Sequence, residues 1–144
     1  MNPFLFMHFI FLGFWGGLVI VEMILELSLR KSLAQKHMMA QLHYRIDLYA
    51  EIPTLLGVLF SGLMLLDFEK MAVPLYATKV TLGLCPIIIN GLCLIPVILR
   101  KKASDREDSE AMDKNTKLVF LAFFTGFTSA MLALGIGMNM LGIF

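Results

Sequence analysis

Residues 43–53, HYRIDLYAEIP, run directly into TLLGVLFSGLMLL at 54–66. The first segment sets an imidazole and two carboxylates four residues apart. The second carries no charge at all. At helical pitch His43, Asp47, Glu51 and Thr54 fall within a sector of about 80°. A charge turned toward lipid costs about 2.5–3.5 kcal/mol on insertion scales. This stretch therefore predicts a membrane-crossing helix whose polar face is hidden against other helices.

The rest of the chain agrees with that reading. Of its 144 residues 58% are hydrophobic, and the mean hydropathy is +0.80, whereas soluble domains run about 45–50% apolar. The apolar residues collect in four blocks, at about 4–25, 48–66, 75–99 and 118–141, each long enough to cross a hydrocarbon core of about 30 Å. The expected fold is all-α: one transmembrane domain over 1–144, an antiparallel up-and-down four-helix bundle in contact with the bilayer. No Lys or Arg precedes the first block and acidic residues end it, so it reads as a span rather than a cleaved leader. A net charge of +1 gives no reason to expect nucleic acid as a partner.

The link after the first span carries Arg30, Lys31 and Lys36, and the link after the third begins RKKASDREDSE. The link after the second has only Lys70, beside Asp67 and Glu69. Lys and Arg concentrate in cytoplasmic links, so both termini are expected outside, with a bacterial inner membrane as the location. DREDSE reads as a solvated loop, His37 as a solvated histidine in a basic link, and the second helix as starting near Met38. Gly126, Gly135 and Gly137 in the fourth span read as sites of close helix packing.

Each span carries one polar stripe. His8, Trp15, Glu22 and Glu26 lie within about 40° of one line on the first. Lys79, Asn90 and Cys93 mark the third, and Thr125, Ser129 and Asn139 the fourth. Turned inward, these stripes make a polar axis with two levels. His8 and Lys79 lie near the outer ends of their spans. Glu22, Glu26, His43, Asp47 and Glu51 gather near the cytoplasmic ends. Four carboxylates in a low dielectric need protons or cations to compensate them, and Arg45 is one nearby cation. Carboxylates with imidazole on antiparallel helices are also the ligand set of di-metal bundles. These five residues are therefore candidate ligands for iron, manganese or zinc, as one ion or a pair. A purely structural salt and hydrogen-bond network is the plainer alternative.

HFIFLGFWGG at 8–17 resembles the opening span of the HemJ-type protoporphyrinogen oxidases and the related CopD-like membrane proteins. Arg45 with Pro53, and ATKV with Lys79, resemble motifs of the family's second and third spans. The resemblance implies haem b, with His8 as its ligand or porphyrin contact and Arg45 and Lys79 as charge partners for propionates or substrate. Ala77 and Asn90 stand where the family usually has histidines. His8 and His43 differ too much in depth to ligate one haem together.

Three functions follow as expectations: a membrane metal-binding protein, redox-active or metal-handling; a haem b oxidoreductase using His8; and an accessory subunit of a larger membrane complex, or a homo-oligomer, whose stripes serve assembly. Orientation is testable directly. Reporter fusions at the C-terminus and within 103–114 are expected to report opposite sides of the membrane, and a cytoplasmic C-terminus would invert the topology.

Overall fold

The computed structural model describes residues 2–142. Four long helices make up nearly all of it: α1, Pro3–Ser28; α2, Leu33–Met64; α3, Pro74–Asp105; and α4, Ser109–Met140. A short 3-10 turn, Glu69–Ala72, lies between α2 and α3. All four helices are long and apolar enough to cross a membrane. At 1.5 Å per residue the longer ones reach about 48 Å, so they extend well past a hydrocarbon core of about 30 Å.

Burial is inverted relative to a water-soluble protein. Phe14, Leu56, Leu121 and Phe124 are each close to 60% exposed, while Glu22, Glu26, His43, Asp47 and Glu51 are all buried. Such a surface is stable only where the surrounding solvent is itself apolar. α3 and α4 pack along each other, α1 lies on the second half of α2, and the first half of α2 packs on α3. Trp15 and Val19 of α1 and Leu55 of α2 form one apolar cluster, closed by Ile87 of α3 and by Phe123, Phe127 and Ala130 of α4. Ala40, Ala103 and Met112 form a second at the basic end. Along α2, the His43–Asp47–Glu51 face lies between the two.

The links are much shorter than the hydropathy pattern indicates. α2 begins at Leu33, where Ser32 and Gln35 form a reciprocal capping box, five residues before the expected Met38. α3 runs on to Asp105 and α4 starts at Ser109, with Asp108 accepting from the Ala111 N–H as the N-cap. Only 106–108 turn the chain there, with Glu107 at φ 57°. The DREDSE residues are exposed as expected, but Asp105, Ser109 and Glu110 belong to the flanking helices. Alternating charge also suits a solvated helix face, where i,i+4 pairs form; Lys101 and Asp105 make one at 2.8 Å.

α2 contains one π-helical turn over Asp47–Glu51, closed by the Ile52 N–H bonding to the Asp47 carbonyl. Pro53, which has no N–H to give, follows at once. The wider turn keeps Asp47 and Glu51 on one side of the helix, and both are buried.

Two expectations about α4 are corrected. Thr125 and Asn139 are exposed rather than turned inward. The Thr125 hydroxyl donates to the Leu121 carbonyl of its own helix, and that bond removes the reason to seek the interior. Gly126 and Gly137 do face α3 closely, with an added Cβ 3.5 Å from Asn90 Nδ2 and 3.3 Å from Lys79 Cε, but Gly135 does not, since an added methyl there meets nothing within 4 Å. The tight position is Gly57 of α2, where a Cβ would lie 2.6 Å from the Phe11 ring of α1. Gly57→Ala is therefore expected to lower the thermal midpoint in detergent by a cost of about 1–3 kcal/mol from overpacking. Gly135→Ala is expected to be neutral or to stabilise by up to about 1 kcal/mol, through helix propensity alone. Thermal unfolding of the two variants side by side checks the contrast.

Candidate metal centre

The five acidic and imidazole residues expected near the basic ends do converge, but in unequal roles. Glu26 of α1 is paired. It accepts from Arg100 Nη1, and its Oε1 stands 2.8 Å from His43 Nδ1. Arg100 of α3 also places Nη2 2.7 Å from the same His43 Nδ1, and Nη1 3.4 Å from Thr116 Oγ1 of α4. Arg100 is 2% exposed. It is the interior cation of the cluster, whereas Arg45 is exposed on the other side of α2.

The other half of the cluster is short of donors. His43 Nε2 lies 3.2 Å from Asp47 Oδ1 and 3.8 Å from Glu22 Oε2. Asp47 Oδ1 and Glu22 Oε1 are buried without a hydrogen-bond partner among the described residues. A buried carboxylate left so is costly. Glu51 is less bare, because Trp15 Nε1 donates to its Oε1 at 2.9 Å. Trp15 is thus both a core residue and a donor to the cluster. A cavity of about 30 Å³ opens beside these groups, touching Glu22, Glu26, His43, Glu51, Asn90 and Cys93. That volume suits one or two waters or a small ion. An organic cofactor needs several hundred Å³.

The donor set fits a metal ion. Glu22, His43 and Asp47 each offer one ligand atom, all within 4.8 Å of one another. Two ligands about 2.1 Å from one ion stand roughly 3.0–3.5 Å apart in octahedral or tetrahedral geometry. The His43–Asp47 separation lies within that range, and the His43–Glu22 separation is a few tenths of an ångström beyond it. His43 Nδ1 has one of two roles at a time. Donating its N–H to Glu26 leaves the Nε2 lone pair facing Glu22 and Asp47, the carboxylate–imidazole arrangement that orients metal-bound histidines. Accepting from Arg100 instead puts the proton on Nε2.

The residues expected at a haem are not gathered at one level. His8 Nδ1 is 3.0 Å from Ser61 Oγ, whose own hydrogen goes to the Gly57 carbonyl at 2.7 Å; His8 Nδ1 is therefore the donor. Arg45 lies sixteen positions before Ser61 on the same helix, about 24 Å along its axis. Lys79 packs its stem against Gly137 and sets its ammonium 5.6 Å from the Tyr76 ring centroid. His37 is half-buried rather than solvated, with Nδ1 2.7 Å from Ser104 Oγ.

Arg100 is the site residue that the sequence reading left in a link. Its position continues the Asn90–Cys93 stripe, seven residues beyond Cys93 and three beyond Val97, which is buried between them. No protein-family model matches the chain, and no curated protein and no solved structure is significantly similar to it. Function is therefore argued from the site alone. Arg100→Met is expected to destabilise the protein by about 3–5 kcal/mol, because it strands a buried carboxylate. Adding Glu26→Gln to that variant is expected to recover part of the loss. Denaturant unfolding of the single and double variants in detergent gives the coupling.

Proposed function

We propose that this multi-pass membrane protein binds one divalent first-row transition ion through Glu22, His43 and Asp47. The observation that supports this reading is the pair of buried carboxylates flanking His43 Nε2, with one oxygen of each lacking a hydrogen-bond partner among the described residues, and with Glu22 and His43 bordering a cavity of ionic size. Two carboxylates and an imidazole suit iron, manganese or zinc better than a soft ion. Glu26 acts behind them, fixing the imidazole through Nδ1 and neutralised by Arg100. Glu51, held by Trp15, supplies further negative charge at the edge of the site. With Glu26 engaged by Arg100, the arrangement favours a single ion over a pair.

Bound iron or manganese would supply one-electron chemistry, and zinc a Lewis acid. The chain's own contribution is anionic charge, a fixed imidazole and exclusion of bulk water by the apolar clusters on either side. Metal handling or redox chemistry in a bilayer is the functional class this points to.

The test is metal content per protein after loading with iron, manganese or zinc and removal of excess. The wild type is expected to retain one ion. Glu22→Gln, His43→Ala and Asp47→Asn are each expected to lose it by tenfold or more in affinity, the range seen when ligands or their supporting groups are removed. Glu51→Gln is expected to lose less. Wild-type content in all three ligand variants, or no uptake by the wild type, would make the cluster a structural network. A Soret band in the purified protein, lost in His8→Ala, would favour haem b instead.

A further inference from the structure

A second and larger cavity, about 340 Å³, opens at the basic end of the bundle. Arg30, Lys36, Arg100 and Lys117 border it, against two carboxylates, Glu26 and Asp113. Both carboxylates are already answered. Glu26 pairs with Arg100, and Asp113 takes both its oxygens to Lys36 Nζ at 2.7 and 2.9 Å. Arg30 and Lys117 are left over, with no ion pair among the described residues. The Arg30 guanidinium is held 5.9 Å from the Phe120 ring centroid, so a cation–π contact steadies it at the cavity wall. Lys117 comes from the same helix as Phe120, one turn earlier, with the Thr116 hydroxyl next to it.

We infer that this vestibule binds a phosphate-bearing anion, clasped between Arg30 at the end of α1 and Lys117 on α4. Guanidinium and ammonium groups converging on one space are the side chains that recognise phosphate oxygens. The volume is that of an ordinary small-ligand pocket. Depth supports the same chemistry. Arg30 lies two residues past the end of α1, and Lys117 directly precedes the apolar run that starts at Leu118. Both therefore stand at the polar–apolar boundary, where phospholipid phosphates lie and attract basic side chains. Apolar Met39 and Phe120 on the same wall would accept the first carbons of a lipid as readily as they border a free anion. The inference is independent of whether the inner cluster holds a metal.

The experiment uses the full chain in neutral detergent and reads the thermal midpoint against added probe. The probes are phosphatidylglycerol in mixed micelles, phosphatidylcholine as its zwitterionic control, and inorganic phosphate alone. Phosphatidylglycerol or inorganic phosphate is expected to raise the midpoint more than phosphatidylcholine does. Arg30→Gln with Lys117→Gln is expected to weaken apparent affinity by roughly thirtyfold, at about fivefold per cation. Lys31→Gln with Lys102→Gln removes two exposed charges that do not border the cavity and is expected to leave the affinity unchanged. A response to phosphatidylglycerol only identifies a lipid headgroup as the source, and a response to inorganic phosphate identifies a free anion. The inference is overturned if neither probe exceeds phosphatidylcholine, or if the Arg30/Lys117 variant, folded with its probe-free midpoint intact, responds as the wild type does. The single variants Arg30→Gln and Lys117→Gln decide the matter if the double variant does not fold.

Discussion

Arg100 is a charged side chain with almost no exposure, and it meets a residue from every other helix. Glu26 comes from α1, His43 from α2 and Thr116 from α4. An uncompensated guanidinium in a medium of low dielectric carries an idealised penalty on the order of 20 kcal/mol. The four helices therefore have to close around it at one level. That requirement sets the rotation of each helix about its own axis, which apolar packing against lipid-like neighbours does only weakly. Lipid tails are as apolar as Leu, so burying Leu between helices gives little directional preference. The polar contacts supply it.

Once rotation is set, the rest of the polar level follows from helical pitch. Glu22 lies one turn from Glu26, and Asp47 one turn from His43, so both arrive on the side of the imidazole away from Arg100. One half of the cluster is thus neutralised from within the chain and the other is not. The π turn at Asp47–Glu51 deepens this asymmetry by keeping Glu51 beside Asp47. Trp15 answers one oxygen of Glu51, whereas Glu22 Oε1 has no partner among the described residues and Asp47 Oδ1 has only His43 Nε2 nearby, at 3.2 Å. The imbalance leaves buried negative charge on that side of the imidazole for which the chain supplies no cation.

The two cavities differ in charge: the small one touches Glu22, Glu26 and Glu51, and the larger one, at the basic end, is bordered by four cations, Arg30, Lys36, Arg100 and Lys117, and two carboxylates, Glu26 and Asp113. Glu26 and Phe120 border both, so the Glu26–Arg100 pair stands between an acidic interior and a basic mouth. Oppositely charged compartments separated by one ion pair stabilise each other's charge across a short distance of low dielectric.

Local composition was sufficient to read the four apolar helices, the inward faces of α1 and α2, and the convergence of Glu22, Glu26, His43, Asp47 and Glu51. Period and hydropathy depend only on near neighbours in the chain, and a charged residue in a span has few places to go. The same information misread the links, because RKKASDREDSE has the charge alternation of a loop and of a solvated helix alike. It placed Thr125 inward, because a hydroxyl that bonds its own helix looks the same in sequence as one that seeks a partner. It offered Arg45 as one nearby cation and left Arg100, the enclosed one, in a link. Both are arginines beside an apolar run. Only the crossing of α3 with α1 and α2 decides which is enclosed, since a contact between residues 26 and 100 has no local signature. The unequal roles of the five clustered residues were decided by tertiary structure for the same reason: whether a buried carboxylate is satisfied depends on donors that the other helices bring to it.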